Sequence, residues 1–85
     1  MAHSSSAFSF THCGRYTTAG GEREVAAAYD PDRGVWVLVD AFQDAKEAEL
    51  DAHVIDDTLA SPAEARAMAT DYLARAHQAG GPLVS

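Results

Sequence analysis

From Phe8 to Thr18 the chain reads as an extended strand: Phe8, Phe10, His12, Gly14, Tyr16 and Thr18 fall on one side, Ser9, Thr11, Cys13, Arg15 and Thr17 on the other. Two phenylalanines and a tyrosine on one side predict a core edge. Ala19-Gly20-Gly21-Glu22 supplies residues tolerant of positive φ, so a tight hairpin is expected there, followed by a strand from Glu24 to Tyr29 with Val25, Ala27 and Tyr29 sharing a face. Asp30-Pro31-Asp32-Arg33-Gly34 is the clearest turn. Pro31 presets φ, Asp30 can accept a backbone N–H, and Gly34 suits a left-handed site. Val35-Trp36-Val37-Leu38-Val39 is then apolar on both faces, the pattern of an interior strand covered by a helix on one side.

The stretch Phe42 to Ala60 carries two patterns. Phe42, Ala45, Ala48 and Ala52 fit a short helix, whereas Leu50, Ala52 and Val54 fit a strand after a turn at Lys46 and Glu47. The preferred reading is a turn or short helix, then a fourth strand near Ala52 to Asp57. Ser61-Pro62-Ala63-Glu64 predicts a helix start, with Ser61 as cap, Pro62 in the first position and Glu64 returning a bond to the cap. Ala65, Met68, Ala69, Tyr72, Leu73 and Ala76 recur at three- and four-residue spacing, and Gly80-Gly81-Pro82 stops the helix. Burial of Met68, Tyr72 and Leu73 is expected to contribute roughly 1.5–3 kcal/mol each before entropy is subtracted.

These elements predict an α+β fold, an antiparallel three- to four-stranded meander sheet packed by one C-terminal amphipathic helix. Residues 1–7 read as a disordered lead or an expression remnant, 8–80 as one domain and 81–85 as a tail. There is no internal repeat.

Composition sharpens the picture in two ways. A chain of 85 residues has a thin stability margin, so dimerisation or docking on a partner is a sensible way to cover apolar surface. Thirteen acidic against six basic side chains give a net charge of −7, which repels phosphate backbones and argues against nucleic-acid binding by the chain alone. Asp40, Asp44, Glu47, Glu49, Asp51, Asp56 and Asp57, offset by Lys46, carry nearly all of that imbalance and read as one acidic face. Such a face can be a solvated surface, a docking surface for a basic partner or a phosphate mimic. No apolar run is long enough to span a bilayer, no secretory signal is legible, and the lone Cys13 asks for no oxidising compartment. A cytoplasmic protein is expected.

Candidate chemistry is sparse. His12, Cys13 and His53 are the soft ligand types near strands, but adjacent His12 and Cys13 point to opposite faces, so neither a metal nor a cofactor is expected. A nucleophile pair of Cys13 with His53 or His77 lacks an elbow or an oxyanion loop to support it. Asp30 and Asp32 are explained as turn residues, and Asp56 and Asp57 as acids set before a helix N-terminus. The chain is therefore not read as an enzyme.

Val25-Ala26-Ala27-Ala28-Tyr29-Asp30-Pro31-Asp32-Arg33-Gly34-Val35-Trp36-Val37-Leu38-Val39 and Thr58-Leu59-Ala60-Ser61-Pro62-Ala63-Glu64-Ala65-Arg66-Ala67-Met68-Ala69 together resemble the small antitoxins of the HicB type. In that family a strand, a short acidic turn, a second strand, a loop and a capped helix follow one another. The resemblance covers about half the chain. It departs from the family where the Pro-Gly-containing loop is replaced by the acidic stretch Gln43 to Asp57, and no appended DNA-binding motif is visible. It implies an α+β fold and a protein partner, at the level of fold analogy.

The functional expectation is a protein-binding module, antitoxin-like or a phage- or plasmid-encoded inhibitor, that occupies a basic site on another protein. Its expected contact residues are Trp36, Phe42, Asp44, Glu47, Glu49, Asp51, Asp56 and Asp57. The alternative is a structural homodimer without intrinsic activity, joined at a strand edge or helix flank, with a small enzyme as the least supported reading.

Overall fold

The computed structural model describes residues 10–44 and 52–83. The expected lead, Phe8, a turn or short helix around Lys46, and Glu47, Glu49 and Asp51 lie outside the described residues, as does the end of the tail.

Four strands, β1 (Phe10–Thr18), β2 (Gly21–Asp30), β3 (Val35–Phe42) and β4 (Ala52–Leu59), form one antiparallel sheet in the order β1-β2-β3-β4, and one helix, α1 (Pro62–Ala79), packs against it. This is the predicted α+β meander. The first hairpin closes through Ala19 and Gly20, with Thr18 paired to Gly21 and the Thr18 hydroxyl donating to the Gly21 carbonyl at 2.9 Å. The second closes over residues 31–34. There Gly34 takes a φ of 67° and donates to the Asp30 carbonyl at 2.8 Å, and the Asp32 N–H donates to the Asp30 carboxylate at 3.1 Å.

β3 is interior, paired to β2 on one side and β4 on the other. β4 runs through Leu59, two residues past the expected end. Asp56 and Asp57 therefore belong to a strand, where Asp56 accepts from the Thr58 N–H and hydroxyl, and not to the helix N-terminus for which they were read. The acid in the first helical turn is Glu64.

The helix face is narrower than its sequence period suggested. Ala65, Ala69, Tyr72 and Ala76 are buried, while Met68 and Leu73 flank the stripe half-buried, so their expected full burial is not realised. Alanines at this spacing bring the helix close to Val25 and Ala27. The Ser61 hydroxyl accepts from the Glu64 N–H at 3.2 Å, and the Glu64 carboxylate accepts from Ala60, one residue earlier than a capping box requires. Gly80, at φ 79°, donates back to the Ala76 carbonyl at 2.9 Å and ends the helix.

A β-bulge corrects the reading of β1. His12 pairs with Ala26 and Gly14 with Val25, so Cys13 is an extra residue and the alternation restarts after it. Gly14 and Tyr16 face the helix with Val25 and Arg23, whereas His12 stands on the opposite face and pairs with Glu24. Cys13 turns toward the core, where burial pushes its thiol pKa up. A Cβ at Gly14 would stand 2.5 Å from Cδ1 of Leu73, so a larger residue there would force that side chain to shift.

Candidate functional site

Each face of the sheet, and one of its ends, places chemistry that the sequence kept apart. On the helix-covered face, Arg23 keeps the phase of Val25 and Ala27, and Asp40 keeps the phase of Leu38. Both are buried, at 2% and 0% exposure. The Arg23 Nε donates to one Asp40 oxygen at 2.7 Å, and the other accepts from the Tyr16 hydroxyl at 2.5 Å and the Tyr72 hydroxyl at 2.6 Å. The Arg23 Nη2 donates to the Asp40 carbonyl at 3.1 Å, and the guanidinium stacks 4.4 Å over the Phe42 ring. Tyr72 Oη also accepts from the Leu83 N–H at 3.1 Å, tying the segment after the helix to the network.

Desolvation, helped by bonding to the Asp40 carboxylate, raises the pKa of both phenols. Tyr72 is pushed up to about 12 and Tyr16 further still. Both hydroxyls stay protonated donors across the physiological range. Asp40 is thus not part of an acidic surface, as its sequence neighbourhood suggested, because Arg23 and two hydroxyls satisfy it in the interior. Sequence inspection missed this network. The signal available was an arginine and an aspartate each two residues from buried apolar positions on neighbouring strands.

At the end of the sheet beside the 31–34 turn, Tyr29 and Trp36 are cross-strand partners with ring centroids 5.5 Å apart. Trp36 packs against the core, and Tyr29 is 36% exposed. The Arg33 guanidinium donates to the Asp57 carboxylate at 3.4 Å and carbonyl at 2.9 Å, and lies 3.9 Å from Asp30. Asp32 is exposed in the turn, and two bonds from Thr58 hold the Asp56 carboxyl below the usual carboxylate range. Of the expected contact residues, this end brings Trp36, Asp56 and Asp57 together.

Phe42 and Asp44 go to the opposite end. Six residues separate Trp36 from Phe42 along β3, roughly 20 Å at about 3.3 Å per residue, and the Phe42 ring lies beneath Arg23. The expected single contact surface is thereby split. His12 and His53 lie on the two edge strands with β2 and β3 between them, Cys13 faces the core, and His77 is exposed in the last helical turn. Among the described residues no group of three His, Cys, Asp or Glu side chains could hold a metal ion, and no helix is long and apolar enough to cross a membrane.

The remaining face, opposite the helix, is laid out by strand register in rows: Arg15–Glu24–Ala41–Ala52, His12–Ala26–Val39–Val54, then Ala28–Val37 and Asp30–Val35. Charges lie over β1 and toward both ends of β2, and between them the outward positions of β2, β3 and β4 are valine and alanine. Val54 is 53% exposed. No protein-family model, curated protein or solved structure matches the chain.

Proposed function

We propose that this chain is a small protein-binding module that docks on a basic surface of a partner protein through the Tyr29–Trp36 end of its sheet. The observation that carries the reading is the aromatic pair itself, one ring anchored in the core and the other exposed, standing beside Asp30, Asp32, Asp56 and Asp57. A rigid aromatic pair offers contact area at little entropic cost, and charges around it select a partner and steer its approach. Those four carboxylates stand with one base, Arg33, already engaged by Asp57, so the end is acidic within a chain of net charge −7.

The same charge disfavours nucleic acid as the ligand of the chain alone. A cytoplasmic inhibitor, antitoxin-like or phage- or plasmid-encoded, is the form of such a module in keeping with the HicB-type resemblance. The test is quantitative capture from host extract with the wild type, Tyr29→Ala and the pair Asp32→Lys/Asp57→Lys, at low and high salt, each variant first shown by circular dichroism to be folded. A basic protein retained by the wild type is expected to fall at least about tenfold with either variant and at high salt. Equal capture by all three chains would remove this surface from the function.

A further inference from the structure

The two edges of the sheet differ in how they end. Among the described residues no strand pairs with the outer side of β1 or of β4, and such an edge presents a row of backbone N–H and C=O groups to any strand that approaches unless something blunts it. β4 is blunted. Its pairing with β3 slips out of register twice, the Asp57 carbonyl accepts from the Arg33 guanidinium at 2.9 Å, and the Thr58 N–H donates to the Asp56 carboxylate at 2.7 Å. β1 is interrupted at its bulge, but from Gly14 to Thr18 it pairs with β2 one for one, and no described side chain bonds the backbone of Arg15, Tyr16 or Thr17.

We infer that the Gly14–Thr18 segment of β1 pairs antiparallel with the same segment of a second copy of the chain, about a two-fold axis at Tyr16, joining the two sheets edge to edge. Backbone geometry is the first argument. The two-residue connection of the first hairpin makes Thr18 and Gly21 a hydrogen-bonded pair. Alternation then turns the N–H and C=O of Tyr16 inward to β2 and those of Arg15 and Thr17 outward. An axis at Tyr16 sets Arg15 opposite Thr17 and Gly14 opposite Thr18 of the other copy, so both outward residues of each chain are paired. Sliding the copies by two residues either way puts one of them against the bulge or the hairpin turn. A two-fold contact must be self-complementary, and this segment is, with equal lengths on either side of Tyr16.

Charge is the second argument. Of the four strands β1 alone carries no carboxylate, so two chains of net charge −7 approach there with the least repulsion. On the face away from the helix Arg15 stands level with Glu24, whose carboxylate is taken by His12, and Arg15 makes no ion pair among the described residues. Thr17 donates its hydroxyl to Glu22 at 2.5 Å. Pairing Arg15 with Thr17 of the other copy brings each guanidinium toward that copy's Glu22, one strand further in.

Length sets the strength. The paired segment spans roughly 16 Å at about 3.3 Å per residue, and one strand edge of that length covers less than the ~800 Å² per partner of a standard stable interface. The dimer is therefore weak and depends on concentration. It leaves the Tyr29–Trp36 pair, at the other end of β2, open to a different protein.

Sedimentation of the full chain from about 10 µM to about 1 mM, with residue-resolved amide exchange at both ends of that range, tests the inference. The expected result is a shift from monomer to dimer in which exchange at the Arg15 and Thr17 amides slows at least about tenfold, while the Tyr16 amide, bonded to β2, is slow throughout. Thr17→Pro removes one outward N–H, and Arg15→Glu sets a carboxylate toward Glu22 of the other copy. Each is expected to hold the chain monomeric with helix content unchanged, and Arg15→Glu keeps the test open if the proline variant fails to fold. In a Cys13→Ser background, a mixture of Arg15→Cys and Thr17→Cys chains is expected to cross-link on oxidation far more than either chain alone, because directly opposed residues lie at about 5.5 Å between Cα atoms. A monomer at every concentration overturns the inference. So does a dimer that persists in both variants or leaves those two amides in fast exchange, since its contact lies elsewhere. Amides already slow in the dilute monomer overturn it equally, because the chain itself then covers this edge.

Discussion

The two faces of this sheet reverse the usual division of labour. The face under the helix holds the Arg23–Asp40 ion pair with two tyrosine hydroxyls on it, all buried. The face away from the helix is a lane of valine and alanine with nothing described above it. On the covered face polarity is tolerated because Nε and Nη2 of Arg23 and the hydroxyls of Tyr16 and Tyr72 each meet an acceptor on Asp40, and packed surroundings make each such bond stronger than it would be in water. On the other face apolarity persists with no described element packed over it. The comparison teaches that position relative to the helix sets what must be satisfied, while residue type alone does not reveal position.

The largest effect should come from breaking the covered face. Asp40→Ala leaves the Arg23 guanidinium buried without its carboxylate and strips both tyrosines of their acceptor, which is expected to cost about 3–5 kcal/mol. A domain of this size has a total stability on the order of 4–13 kcal/mol, so the variant should be marginal or unfolded by urea titration at 25 °C. Replacing the whole set together, as Arg23→Met, Asp40→Leu, Tyr16→Phe and Tyr72→Phe, removes the unsatisfied groups along with the bonds and should restore most of the loss. If the single and the quadruple variants are equally damaged, packing rather than polar satisfaction governs this face.

A smaller effect is expected from Tyr72→Phe. The hydroxyl donates to Asp40 and accepts from Leu83, and loss of a bond to a charged group is worth about 1.5–3 kcal/mol. The pH dependence has a definite sign. Folding raises the Tyr72 pKa from 10 to about 12, so the protonated phenol is the form the fold prefers. Its contribution is whole below pH 10 and is lost as pH rises through about 12. Chemical denaturation repeated between pH 8 and pH 12 should therefore show the wild type losing stability across the alkaline part of that range, with a shallower decline in Tyr72→Phe. Parallel declines would mean that folding, by burial and the bond to Asp40, does not raise the phenol's pKa.

Much of the fold was legible because its signals are local. The 30–34 turn, the Ser61 cap and the Gly80 stop each rest on residues within a few positions of one another. The two-sided apolar run of β3 correctly marked an interior strand. The failures share a non-local cause. The bulge at Cys13 sits beside Gly14, which Leu73 approaches from the helix nearly sixty residues later, and counting by twos across it assigned His12 to the wrong face. Asp40 looked like one more member of an acidic run until strand pairing set it beside Arg23 and beneath Tyr72. The end-to-end separation of Trp36 from Phe42 follows from β3 being continuous, and sequence proximity concealed it.

The smallest effect is also the most discriminating between the two faces. Val25 and Val39 are both valines on neighbouring interior strands, yet Val25 is fully buried under the helix and Val39 is half-buried on the lane. A threonine nearly matches valine in shape but brings a hydroxyl that must be solvated or bonded. At Val25 water is excluded, and the substitution is expected to cost about 1–3 kcal/mol. At Val39 in a dilute monomer water still reaches the new hydroxyl, so the cost should stay within about 0.5 kcal/mol. Measured as shifts in urea midpoint against wild type, the penalty of Val25→Thr should exceed that of Val39→Thr. A Val39→Thr penalty that is large in dilute solution would show the lane already dry in the single chain, and the contrast between the faces would then lie in residue type alone.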